Sequence, residues 1–128
     1  MSSSIEPKRV LFVDDERLIA DTSAIIFVNE GYDARAVYSA EQALALISDW
    51  LPNLAIIDVL LPGMNGIDLA IRLKAEWPTC KLALFSGQAS TGDLLDQARK
   101  NGHSFDILAK PIPPDELLAR ASRLIYSN

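Results

Sequence analysis

The chain has 128 residues, 49% of them hydrophobic, and 17 Asp and Glu against 12 Lys and Arg give a net charge of −5. That apolar share excludes intrinsic disorder, and a pI near 4.7 argues against a direct nucleic-acid or anionic-membrane surface, which needs clustered Lys and Arg. The longest stretch free of charge, Leu82 to Gly92, falls far short of the roughly 20 apolar residues that span a bilayer.

A lone cysteine, Cys80, has no partner for an internal disulfide, and with His103 as the one histidine there is no zinc ligand set. Both are expected to be structural. Met1 to Arg9 lacks the basic and apolar regions of a signal peptide, so the expected location is the cytoplasm. The acidic balance points to a cation or a basic patch as partner.

In chain order, Val10 to Val13 is a short buried strand, and the next segment carries Leu18, Ile19, Thr22, Ile25 and Ile26 on one predicted helix face, ending at Gly31. A weak strand follows at Asp33 to Val37. Ser39 with Gln42 three residues on has the capping-box spacing and opens a helix with Ala43, Leu44 and Ile47 inward. Leu54 to Ile57 is the third strand. After a Pro62-Gly63 to Gly66 turn, a helix is predicted from about Ile67 to Trp77, stopped by Pro78. Lys81 to Phe85 is the fourth strand, and a polar loop, Ser86 to Gly92, leads to a helix with Leu94, Leu95 and Ala98 that ends near Gly102. Ser104 to Leu108 is the fifth strand. Pro113, Pro114 and Asp115 then start a helix with Leu117, Leu118, Ala121, Leu124 and Ile125 at core spacing, while Trp50 and Trp77 pack at helix ends.

Strands that are continuously apolar are buried on both faces, and their alternation with helices requires right-handed crossovers. The fold class is therefore α/β: a five-stranded parallel sheet, doubly wound as (βα)5, with the whole chain in one domain. Chemistry in such sheets lies in the crevice at the carboxyl ends of the strands. There the first strand ends in Asp14-Asp15-Glu16, the third in Asp58, the fourth in Ser86, and the fifth runs into Lys110-Pro111. If strands one and three are neighbours, Asp14, Asp15 and Asp58 converge, and three carboxylates together repel unless a cation joins them. Hard oxygen ligands without His or Cys favour Mg²⁺. With a lysine and a hydroxyl facing the same point, this is the equipment of phosphoryl transfer, with Asp58 as nucleophile.

These residues closely resemble the receiver domain of two-component response regulators. The resemblance rests on the run Val13-Asp14-Asp15-Glu16, on Asp58 followed by Leu61-Pro62-Gly63-Met64-Asn65-Gly66, on Ser86 and on Lys110-Pro111, in order and each at a strand end. It covers nearly the whole chain, residues 1–128 as one receiver domain with a core of about 8–126, and implies the flavodoxin-like strand order 2-1-3-4-5. It further implies Asp58 as phosphoacceptor, Asp15 as a direct Mg²⁺ ligand, Asp14 acting partly through water, and the Leu60 carbonyl as a third ligand. Ser86 and Lys110 would each meet a phosphoryl oxygen, and the Lys110-Pro111 bond would be cis. A histidine kinase or phosphotransfer protein would donate the group, and the surface of the fourth helix, fifth strand and fifth helix would bind or release an output protein. In this reading the domain is a switch whose catalysis is directed only at itself.

Several positions depart from the family pattern. Ile107 stands three before the lysine, where a Tyr, Phe or His normally swings inward with the strand-four hydroxyl. Phe105 shares its face at strand periodicity. Leu61 replaces a frequent Met, Ser86 replaces the commoner Thr, and Leu60 and Gln88 occupy positions that in the family tune dephosphorylation. Each site residue alone has a plainer reading: acidic groups suit a helix start, Ser86 suits a cap, Lys110 suits the surface, and Gly63 and Gly66 suit turns. Two other functions compete with the phosphoacceptor reading. A haloacid-dehalogenase-like phosphohydrolase would need a second Asp two residues after its nucleophile, where Leu60 stands, and a cap domain. A receiver-fold binding module with output uncoupled from phosphorylation is kept open by Ile107.

Overall fold

The computed structural model describes residues 6–87 and 91–127. Its strands are β1 (Arg9–Val13), β2 (Asp33–Val37), β3 (Leu54–Asp58), β4 (Lys81–Ser86) and β5 (Asp106–Ala109), all parallel, in the order β2-β1-β3-β4-β5. Between and after them run α1 (Arg17–Asn29), α2 (Ala40–Ile47), α3 (Gly66–Glu76), α4 (Thr91–Lys100) and α5 (Pro114–Ile125). This is the doubly wound α/β sheet expected from the sequence, in the expected order.

β1 from Val10 to Val13 and β3 from Leu54 to Ile57 are continuously apolar because each face of the sheet is covered. Val10, Phe12, Leu54 and Ile56 project to the layer that holds Ala24 and Phe27 of α1 and Leu117 and Ala121 of α5. Leu11, Val13, Ala55 and Ile57 project to the other, against Ala43 and Ile47 of α2, Leu69 and Leu73 of α3, and Ala98 of α4. Local chemistry sets the helix starts. Ser39 Oγ accepts from Gln42 N at 3.1 Å, while Gln42 Oε1 accepts from Tyr38 N at 2.8 Å. Asn65 Oδ1 accepts from Asp68 N at 2.9 Å to open α3.

The inward face of α1 differs from the predicted one. Ala20, Ser23, Ala24 and Phe27 are buried, whereas Leu18 and Ile25 are 80% and 60% exposed, Thr22 is exposed, and Ile19 and Ile26 are half-buried. Small residues let the helix lie close on the sheet, and one large ring, Phe27, fills the space beside Phe12 edge-on with ring centres 5.0 Å apart. β5 also begins later than predicted. α4 ends in a turn in which His103 N donates to Ala98 O at 2.9 Å, and that turn takes up the residues before Asp106.

Candidate functional site

β1 and β3 lie side by side with Val13 opposite Ile57, so the residues that follow them emerge together at one end of the sheet. Asp14 is almost fully buried, with its N donating to Val37 O at 3.1 Å. Its Oδ1 accepts from Glu16 N at 3.0 Å and its Oδ2 from Lys110 Nζ at 2.7 Å. Asp58, 8% exposed, accepts from Leu60 N at 3.2 Å through Oδ1 and from Lys110 Nζ at 3.3 Å through Oδ2. One ammonium thus spans both carboxylates. Its position follows from the edge pairing, in which Ser86 faces Ala109 and Lys110 N donates to Ser86 O at 3.1 Å. The Lys110-Pro111 bond is cis.

The floor of the site is backbone. Gly66 N donates to Val59 O at 2.9 Å, and a Cβ on Gly66 would stand 1.9 Å from the Asp58 carbonyl oxygen. The start of α3 therefore rests directly on the strand end that carries Asp58.

Burial pushes the Asp58 carboxyl up to about 6, with the Lys110 charge opposing this, the Asp14 charge adding to it, and the Leu60 N–H and the Lys110 hydrogen bond lowering it again. Burial pulls Lys110 down, but the hydrogen bond to Asp14 and the charges of Asp58 and Asp14 outweigh it, and the ammonium is held above its ordinary value. At pH 7 Asp58 is mostly ionised and Lys110 is charged.

Carboxylate oxygens of Asp14, Glu16 and Asp58 all lie within 4.8 Å of one another. Three carboxylates against one ammonium leave two negative charges uncompensated, and the donors are all hard oxygens. The residues present fit a divalent cation of the Mg²⁺ kind. Of the acidic run named from the sequence, the structure gathers Asp14 with Asp58, and Asp15 is exposed beside the cluster. Glu16 joins the cluster although it was not among the predicted ligands. Its signal was its position as third acid of the run, one turn from the strand end.

Ser86 is half-buried at the end of β4, one residue past the rung that pairs Asp58 with Phe85. Leu60 is 40% exposed at the mouth. Ile107 faces Leu84 across the β4–β5 pair, two residues before the Ser86 level, and is 37% exposed. Phe105 precedes the first residue of β5 and lines a cleft with Leu95, with Lys74 Nζ 5.6 Å from its ring centre. It is too remote to follow a movement of Ser86 directly. Gln88 lies outside the described residues.

Carboxylates after β1 and β3, a hydroxyl after β4 and a Lys-Pro after β5 on a 2-1-3-4-5 parallel sheet define a receiver-type signalling domain. The chain belongs to the response regulator receiver domain family, whose model matches residues 10–122. It is 31% identical over 121 residues to the DNA-binding response regulator MtrA of Mycobacterium tuberculosis, with 94% of this chain and 52% of that protein covered. With the phosphate regulon transcriptional regulatory protein PhoB of Pseudomonas aeruginosa it shares 34% identity over 119 residues, covering 92% and 52%. This chain thus spans about half the length of these curated relatives. Among solved structures, a CheY-like receiver domain protein from Methanospirillum hungatei superposes with a TM-score of 0.84 at 30% identity, with 94% of each chain covered. The receiver domain of NtrX from Brucella abortus does so at 0.81 and 31%, covering 93% and 99%. The protein is a receiver domain of two-component signalling, and no helix among its described residues is long and apolar enough to cross a membrane.

Proposed function

We propose that Asp58 accepts a phosphoryl group from a phosphohistidine of a histidine kinase or phosphotransfer protein, in a reaction that needs Mg²⁺. The observation that carries this is the bridge of Lys110 Nζ between Asp14 at 2.7 Å and Asp58 at 3.3 Å, beside an uncompensated charge of −2. An ionised Asp58 oxygen forms the new O–P bond as the donor's N–P bond breaks. The electron pair passes to the imidazole, which takes a proton from solvent. Lys110 stays paired with Asp14 and meets one phosphoryl oxygen, and the Ser86 hydroxyl donates to another. Asp14, Glu16 and Asp58, with Asp15 and the Leu60 carbonyl as the resemblance implies, would hold the cation, which supplies charge for the remaining oxygens.

A donor must bring its phosphohistidine to the mouth of the site. An apolar groove of about 450 Å³ beside it, lined by Leu18, Ile19, Ile26, Pro111, Ile112 and Pro114, suits a helical donor surface and gives the exposed Leu18 of α1 a role. Output passes through a protein contact on α4, β5 and α5. The net charge of −5 opposes direct contact of this domain with DNA, the activity that the name of MtrA carries.

Intact mass after incubation with acetyl phosphate tests the reading. One added phosphoryl group that requires Mg²⁺ and is lost in Asp58→Asn supports it, and no adduct from acetyl phosphate or from a kinase donor overturns it. A second reading, a binding module with output uncoupled from the site, draws on one observation: an aliphatic Ile107, 37% exposed, on a cleft of about 230 Å³ with Leu95, Ala98 and Phe105. Amide shifts on phosphorylation that stop short of α4 and β5 would favour it.

A further inference from the structure

The lysine of the site lies against a residue with no side chain. Gly87 follows the last residue of β4 and is exposed. A Cβ built on it would stand 3.1 Å from Lys110 Cβ, 3.3 Å from Cδ and 3.7 Å from Cγ. The aliphatic stem of Lys110 therefore lies along the bare backbone at Gly87. The Lys110 end of this contact cannot retreat easily, because Lys110 N is bonded to Ser86 O at 3.1 Å and the next bond is to Pro111. Any side chain at 87 pushes on the stem, and the stem carries the ammonium that reaches Asp58 at 3.3 Å, already near the outer limit of a hydrogen bond. Gly87 does not have a positive φ, so its absence of a side chain answers to space and not to backbone conformation.

We infer that Gly87 is a positioning residue for Lys110: the missing side chain lets the lysine stem run straight to Asp58, and residue size at 87 sets how well the ammonium meets the phosphoryl group. The inference rests on the proposed phosphoacceptor chemistry for its consequence, but the placement of Lys110 is measurable without it. The atoms nearest a Cβ at Gly87 all belong to Lys110, so the side chain of Lys110 is the place to read its effect.

The experiment uses Gly87→Ala and Gly87→Val in the full chain, with phosphorylation by acetyl phosphate at saturating Mg²⁺ followed by intact mass. Expected slowing is about threefold to tenfold for Ala and more than about tenfold for Val, the scale on which sub-ångström misplacement costs rate. In the unphosphorylated, metal-free variants the ε-methylene NMR signals of Lys110 shift, in the same order. In a Lys110→Ala background the Gly87→Val change has no further effect on rate, because its route has been removed. Unmoved Lys110 signals, or a full Gly87→Val effect in the Lys110→Ala background, would overturn the inference. If the wild-type chain takes no phosphoryl group at all, the proposed function fails, and the Lys110 signals alone decide the positioning.

Discussion

Replacing Asp58 by Asn removes a charge from a buried site, and the size of its effect on stability depends on pH. In the folded chain the carboxyl titrates at about 6, against 3.8 for the free side chain. Below about pH 4 both folded and unfolded states are protonated, and burial of Asp58 carries no charge penalty. Between 4 and 6 the folded chain still holds a proton that the unfolded chain has released, so stability falls as pH rises. Above 6 the loss is complete. A gap of about two units corresponds to roughly 3 kcal/mol without screening, and with the site open to solvent at its mouth about 1–2 kcal/mol is expected. Asn is neutral and nearly the same shape, and in the variant Lys110 keeps its shorter bond to Asp14. In metal-free buffer Asp58→Asn is therefore expected to unfold at a Tm roughly 3–6 °C above wild type at pH 8, with the difference shrinking to near zero at pH 4. Saturating Mg²⁺ narrows the gap at pH 8, because the wild-type site has one more carboxylate with which to hold the ion. Thermal unfolding of both proteins from pH 4 to pH 8 is the assay. A difference that stays flat across this range, or that grows toward acid, would refute the reasoning.

Three further outcomes follow from the geometry. Lys110→Met keeps the stem but leaves Asp14 and Asp58 without their shared ammonium; with the lysine side chain 17% exposed the cost is about 2 kcal/mol at pH 8 by urea unfolding, below the range for a fully buried pair, and Mg²⁺ restores more stability to this variant than to wild type. Gly66→Ala, whose Cβ would stand 1.9 Å from the Asp58 carbonyl oxygen, lowers Tm by 10 °C or more on the order of a severe overpacking, whereas Gly92→Ala in α4, with nothing within 4 Å, raises stability by about 0.5–1 kcal/mol. Phe27→Ala, at a fully buried ring against Phe12, costs about 3–5 kcal/mol, while Leu18→Ala, 80% exposed, stays within about 0.5 kcal/mol of wild type; equal losses at the two positions would show that the face of α1 has been misassigned.

The sheet was legible because continuous apolar runs such as Leu54 to Ile57 have few alternatives once both faces must be covered. The place of the site was legible too, because polar residues that end such runs have nowhere to go but the carboxyl edge. The inward face of α1 was not. Hydrophobicity alone ranks Leu18 and Ile25 above Ala20 and Ala24, yet closeness of approach decides which side of a helix lies on a parallel sheet, and small residues allow the closest approach. The direction of the acidic side chains was likewise hidden: adjacent residues in one run, Asp14, Asp15 and Glu16, end up buried, exposed and turned back, and only the three-dimensional turn after β1 separates them. The contact of Gly87 with the Lys110 stem joins two loops through the pairing of β4 with β5, which no local pattern announces.

Asp14 and Lys110 are 96 positions apart along the chain, and between them lie the turns that bring three other strands into place. During synthesis, the carboxylates after β1 and β3 leave the ribosome long before the ammonium that is to neutralise them exists. Until then the centre of the sheet carries mutually repelling charge with only water or metal ions to relieve it. A chain cut short before Lys110 holds Asp14 and Asp58 without the ammonium that bridges them.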